Sequence, residues 1–183
     1  EDNTIKLSWQ LALSAKIRDY YQLMKFTLSF TVVFSCVIAY LLAPVVTVTF
    51  WKVLLLFVGG LCITGAANAI NQIMERDSDA RMARTRKRPL PDGRMEVGEA
   101  VAFTVIALGL GLVIMGLCFN TLSAVVSLVS VVLYGFVYTP WKKWNSLAVF
   151  VGAFPGALPP LIGWIAATGA VTGPLSYGGW VLF

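Results

Sequence analysis

Long apolar blocks alternate with short polar segments along this chain. Five blocks run from Phe26 to Ala43, Phe50 to Met74, Val97 to Cys118, Leu122 to Tyr138 and Leu147 to Thr168, and a sixth starts near Pro174. A helix crosses a bilayer core in about 20 apolar residues, whereas membrane strands alternate over about ten. Continuous blocks of this length predict helices. The expected fold class is all-α: a polytopic transmembrane helix bundle of about five complete helices plus the start of a sixth. Residues 1–25 are polar and mixed in charge, which predicts a cytoplasmic N-terminal arm, partly helical and lying on the membrane surface, and not a signal peptide. The chain begins at Glu1 and ends at Phe183 inside an apolar run, so a fragment is expected, with residues 26–183 forming part of a larger membrane domain.

Composition agrees with this reading. Apolar residues make up 58% of the chain and charged residues 13%, against roughly 45–50% and 25% in a soluble domain. The net charge of +5 matters less than where the charges lie. Lys6, Lys16, Arg18 and Lys25 precede the first block. Arg76, Arg81, Arg84, Arg86, Lys87, Arg88 and Arg94 lie between the second and third, and Lys142 and Lys143 between the fourth and fifth. If every block spans, these segments share one side and only Lys52 lies opposite. Positively charged loops face the cytoplasm, so the basic charge reads as a topology signal and not as a nucleic-acid patch. Cys36, Cys62 and Cys118 sit singly in apolar blocks, and the chain has no His. That excludes a histidine-ligated metal within this stretch and leaves the cysteines as core residues.

Chemistry concentrates where the second block ends. Asn71, Glu75 and Asp79 are spaced four apart, slightly more than one helical turn, so they share a face. Ionisable groups at a membrane boundary are costly and point to function. Two carboxylates and an amide are hard oxygen donors of the kind that suit Mg²⁺, which characteristically completes its shell with water and substrate phosphates. Asn68, one turn before Gln72, lies near the same face, while Arg76 and Asp77 point away from it. The segment that follows, Arg84-Thr85-Arg86-Lys87-Arg88-Pro89-Leu90-Pro91, brings guanidinium groups able to grip phosphate oxygens in bidentate fashion. Arg84 and Arg88 are therefore expected to stabilise a leaving diphosphate, with Lys87 as a weaker candidate, and Pro89 and Pro91 to end any helix there.

At these residues the chain resembles the UbiA superfamily of intramembrane prenyltransferases, whose signature is N-x3-D-x3-D followed by R-T-x2-R-P-L. Glu75 stands at the first Asp, a usual variant in the protohaem IX farnesyltransferase (haem O synthase) branch. Asp19-Tyr-Tyr-Gln-Leu-Met-Lys25 is similar to that branch's entry to its first helix, with Phe26 where Pro is frequent. Tyr138-Thr-Pro-Trp-Lys-Lys143 is similar to its Y-T-x2-K-R segment, and Gly152-Ala-Phe-Pro155-Gly-Ala-Leu-Pro159-Pro160-Leu-Ile-Gly163-Trp164 to its G-A-x-P-G-A-x-P-P-x2-G-W stretch. The resemblance implies an enzyme of the bacterial inner membrane that transfers farnesyl from farnesyl diphosphate to a vinyl group of haem B, giving haem O. It also implies a Mg²⁺ cofactor, lipid contact, haem A synthase as a partner, and a second polar loop beyond Phe183.

Further expectations attach to single residues. Asn71, Glu75 and Asp79 are the expected metal ligands. Tyr134 and Tyr138, one turn apart, are candidates to stabilise an allylic cation, although aromatics at a helix end also anchor interfaces. Lys142 and Lys143 are candidates to reach the phosphates. The small residues Gly59, Gly60, Gly65, Gly109, Gly111 and Gly116 need only close helix packing. Pro155, Pro159 and Pro160 are expected to break or bend the fifth helix beside a cavity. The alternatives are prenyl transfer to a quinone-precursor ring, a membrane transporter, and a non-catalytic subunit. A transporter's charged site belongs near the bilayer midplane, whereas this one lies at a helix end.

Overall fold

The computed structural model describes the backbone of residues 2–44, 47–141 and 148–183, with side chains from residue 9 onward except 45, 46 and 142–151. Among the described residues eight α-helices follow one another: α1 (Asp2–Leu23), α2 (Phe26–Leu42), α3 (Phe50–Arg81), α4 (Val97–Cys118), α5 (Thr121–Val132), α6 (Thr139–Trp141), α7 (Ala148–Thr168) and α8 (Tyr177–Leu182). Among the described residues α3, α4 and the α5–α6 run Thr121–Trp141 are each long and apolar enough to cross a membrane, and α1 and α2, bent by 53° at their junction, qualify as a pair. The arm expected to be partly helical is helical throughout α1.

The helices close into a ring. α3 packs on α2 and α4, α4 on α5, α5 on α7, and α7 returns to α2. Inside lie Val33, Cys36, Tyr40, Leu56, Ile63, Met115, Val131, Leu161 and Ile165, all buried. The outward faces carry Phe30, Phe34, Val105, Ile106, Leu117 and Val125, all exposed. A soluble protein would face such residues inward, so the outer surface is a lipid surface. This is a multi-pass membrane protein.

Close crossings need small residues, but not at all six glycines. A methyl on Gly111 would stand 2.6 Å from Ile63 Cγ1 and 3.0 Å from the Gly59 carbonyl, which sets the α3–α4 crossing. Gly59, Gly60 and Gly65 are similarly tight against Ile114, Val33 and Met24. Gly109 is exposed and meets nothing within 4 Å, and half-buried Gly116 meets only Ala124 of α5 at an ordinary distance, so neither crossing requires a glycine there. At Gly163 a methyl would fall 1.9 Å from the Cys36 carbonyl, so α2 and α7 touch backbone to backbone there.

The prolines do not break their helix, while the fourth block departs from regular α-helix. Pro155, Pro159 and Pro160 lie inside α7, which runs as one helix through all three. Packing against α2 and α5 on both sides holds the segment where the missing N–H groups alone would not. The fourth block is instead irregular: after Val132 the chain widens into a π-helical stretch, Leu133–Tyr138, before α6. Single π turns are rare and recur at functional sites.

Candidate active site

The length of α3 places the site. At 1.5 Å per residue its 32 residues extend about 48 Å, well beyond a hydrocarbon core of about 30 Å. Its last three turns therefore leave the apolar layer, and they carry the polar face. Asn68, Asn71, Gln72, Glu75 and Asp79 are all buried there. Arg76 and Asp77 lie on the outer side, paired with one another at 3.2 Å.

Glu75, Ser78 and Asp79 line a cleft of about 480 Å³ together with Lys25, Met82, Arg84, Thr85 and Arg88. Both carboxylates thus share one space with three basic side chains. Arg88 Nη1 lies 2.6 Å from Asp79 Oδ2. Thr85 donates its hydroxyl to the Asp79 carbonyl at 3.0 Å, which caps α3 and starts the loop. The loop is a run of tight turns, with Arg86 N–H bonded to the Met82 carbonyl and Arg88 N–H to the Thr85 carbonyl. Leu90 and Met95 bury against Leu23, Ala69 and Ala100, which seats it beside α3.

Asn71, expected as a ligand, bonds side chains of two other elements. Its Oδ1 accepts from Lys25 Nζ at 2.9 Å, and its Nδ2 donates to Thr139 Oγ1 at 3.1 Å. The amide is turned to the α1–α2 corner and to α6, and it meets the cleft only through Lys25. Asn68 is occupied likewise: its Nδ2 donates to the Met24 carbonyl at 3.1 Å and to Ser29 Oγ at 3.0 Å. Gln72 binds the Gln22 and Leu23 carbonyls at 2.8 and 2.9 Å. Three amides of α3 therefore pin the corner against the helix. Lys87 is exposed and outside the cleft lining, because its turn directs the side chain away. Lys142 and Lys143 lie outside the described residues.

Lys25, Thr85 and Thr139 are the site residues that sequence reasoning missed. Lys25 read as topology charge and as the end of a family-like segment, without a role of its own. Its backbone is left-handed, at φ 48° and ψ 56°, the one positive-φ residue other than glycine among those described. That geometry disfavours an L-residue by about 1–2 kcal/mol, and such residues cluster at functional sites. A Lys before a helix, where Asn or Gly would turn more easily, was the available signal.

Further into the bundle the same face of α3 borders an apolar cavity of about 200 Å³, lined in part by Leu28, Thr64, Asn68, Tyr134, Pro155 and Pro159. A smaller void of about 40 Å³ continues to Cys36, Leu56 and Met115. Tyr134 and Tyr138 stack with centroids 5.6 Å apart. Tyr134 faces the cavity, while a methyl on Gly152 would stand 2.5 Å from Tyr138 Cε2, so that ring rests on α7.

The arrangement sets hard oxygen donors and basic side chains at one end of α3 and an apolar cavity farther along the same helix. The UbiA prenyltransferase family matches residues 32–183, and the chain belongs to it. It is 46% identical over 158 residues to the protoheme IX farnesyltransferase of Cytophaga hutchinsonii, covering 86% of this chain and 55% of that protein. It is 39% identical over 156 residues to the mitochondrial protoheme IX farnesyltransferase of Arabidopsis thaliana, covering 85% of this chain and 36% of that one. The chain thus spans about half the length of the C. hutchinsonii protein. In fold it is similar to a digeranylgeranylglyceryl phosphate synthase, with a TM-score of 0.78 at 24% identity, covering 92% of this chain and 57% of that one. It is also similar to a UbiA homologue from Archaeoglobus fulgidus bound to GPP and Mg²⁺, with a TM-score of 0.59 at 18% identity, covering 82% and 60%.

Proposed function

We propose that the full-length protein is a haem O synthase of a bacterial inner membrane, its N-terminal arm and the loop after α3 facing the cytoplasm. It moves a farnesyl group from farnesyl diphosphate to a vinyl carbon of haem B, and haem O passes to a haem A synthase. The observation that carries this is one cleft holding Glu75, Asp79, Lys25, Arg84 and Arg88, with an apolar cavity on the same helix face beyond it. Likeness to the named farnesyltransferases supports the choice of haem as acceptor.

The donor set fits Mg²⁺: two carboxylates in one space, with room left for diphosphate and water oxygens. Glu75 and Asp79 would hold the ion, and Asn71 would add its amide oxygen when Lys25 turns to the diphosphate. Bound there, Mg²⁺ supplies charge neutralisation for the diphosphate. Arg84, Arg88 and Lys25 stabilise the negative charge that builds on the leaving group. The C1–O bond breaks and its electron pair leaves with the diphosphate. The haem vinyl π pair then forms the new C–C bond to C1. Water adds to the resulting cation and loses a proton, which gives the hydroxyethylfarnesyl group. The cavity keeps water off the allylic cation meanwhile, and Tyr134, which lines it, stabilises that charge with its ring face.

The test is a reconstitution of the full-length protein in lipid vesicles with Mg²⁺, farnesyl diphosphate and haem B. Haem O, identified by its mass, is expected. Prenylation of a hydroxybenzoate instead, with haem untouched, would overturn the assignment in favour of a quinone-ring prenyltransferase.

A further inference from the structure

Arg94 lies outside the cleft, at the end of the loop, yet it makes more polar contacts than any arginine in the cleft. Its Nε donates to Asp19 Oδ1 at 3.0 Å, and its Nη2 donates to Gln22 Oε1 at 3.2 Å and to the Lys87 carbonyl at 3.1 Å. Its Nη1 also pairs with Asp92. Asp19 is 4% exposed. A buried carboxylate without its cation is strongly disfavoured, so this contact is obligatory in a way that an exposed pair is not.

The three contacts join separate parts of the chain. Asp19 and Gln22 belong to the last turn of α1. The Lys87 carbonyl belongs to the peptide unit that leads directly into Arg88, the residue on Asp79. The Gln22 carbonyl is itself held by Gln72 of α3. Two further bonds fix α1: Lys16 Nζ to Glu99 of α4 at 2.7 Å, and Tyr20 Oη to the same carboxylate at 2.7 Å. α1 is thus anchored to α3 and α4 by polar groups, and Arg94 ties the arginine loop to it.

We infer that Asp19 and Arg94 are positioning residues: the pair uses α1 as an abutment to hold the Arg84–Arg88 loop over the diphosphate. Neither touches the substrate. The inference rests on the reading that the cleft holds a diphosphate. Arg88 reaches Asp79 from a chain of short turns, and a hydrogen bond to the peptide just before it fixes where its side chain begins. Without that bond Arg84 and Arg88 remain in the sequence but lose their preset places, and the lost order appears as weaker diphosphate binding.

The experiment uses the full-length protein in detergent with Asp19→Asn and Arg94→Lys. Lysine at 94 keeps the charge on Asp19 but cannot span to the Lys87 carbonyl as well. Losing a charge-assisted bond of this kind corresponds to about a tenfold change. The expected result is a rise of about that size in KM for farnesyl diphosphate, an unchanged KM for haem B, an unchanged melting point for Arg94→Lys, and faster trypsin cleavage in the loop. Wild-type KM for the diphosphate in both variants would overturn the inference. So would a fall in melting point with both KM values moving together, which is what a merely structural pair gives. A trypsin assay with Mg²⁺ and inorganic pyrophosphate separates this inference from the proposed function. If wild type makes no haem O but pyrophosphate protects its loop and fails to protect either variant, the activity assignment falls and the clamp stands. If pyrophosphate protects wild type and variants alike, the clamp falls.

Discussion

The two halves of α3 are held by different forces. From Phe50 to Ala67 the helix is placed by shape. Gly59 and Gly60 admit Ile114 and Val33, and Gly111 of α4 comes within reach of the Gly59 carbonyl. From Asn68 to Asp79 it is placed by named bonds: Asn68 to Met24 and Ser29, Asn71 to Lys25 and Thr139, Gln72 to Gln22 and Leu23, and Asp79 to Arg88. Shape complementarity spreads over many weak contacts, and a changed one is felt as strain across the crossing. A hydrogen bond in a dry setting is a single contact, and a lost partner leaves a polar atom with nothing to replace it. The apolar half therefore sets how closely the helices cross, while the polar half sets where individual polar atoms lie.

Chelation should have the largest effect in separating the halves. EDTA is expected to reduce haem O formation by the full-length protein to background, with recovery on adding Mg²⁺. Persistent turnover would remove the metal from the polar half. Asp79→Asn comes next, lowering kcat/KM for farnesyl diphosphate by roughly 10²–10³-fold, the range seen when a positioned electrostatic group at a reacting centre is removed. Gly111→Ala probes the apolar half. Overpacking the α3–α4 crossing should lower unfolding stability in micelles by about 1–3 kcal/mol and leave turnover per folded molecule unchanged. A change in turnover would show that the halves are not independent. Thr85→Val is the mildest: loss of one neutral bond to the Asp79 carbonyl is worth about 1 kcal/mol, or roughly fivefold in KM for the diphosphate.

Much of the site was legible because helical periodicity is local. Glu75 and Asp79 fall on one face by spacing alone, Arg76 and Asp77 on another, and the arginines follow within a few residues, so all four cleft residues among Glu75, Asp79, Arg84 and Arg88 could be named from the chain. Residues that act through another helix were not. Asn71 fits the spacing rule as well as its neighbours, yet it binds Lys25 and Thr139, neither of which is near it in sequence. Asn68, named as a substrate ligand, lines the apolar cavity and also holds the α1–α2 corner through its Nδ2. Lys87, the weaker candidate by sequence, is exposed outside the cleft that Arg88 lines.

By itself the sequence determined that this is an all-helical membrane protein with an acidic face running into a basic loop. Block length, turn period and charge placement are properties of neighbouring residues. Only the tertiary structure decided that α7 stays whole through three prolines, that α5 opens into a π turn, and that Lys25 joins the cleft while α1 supports the loop. Those outcomes depend on which helices cross and in what register. Such choices arise from contacts between segments tens of residues apart, where local pattern carries no information.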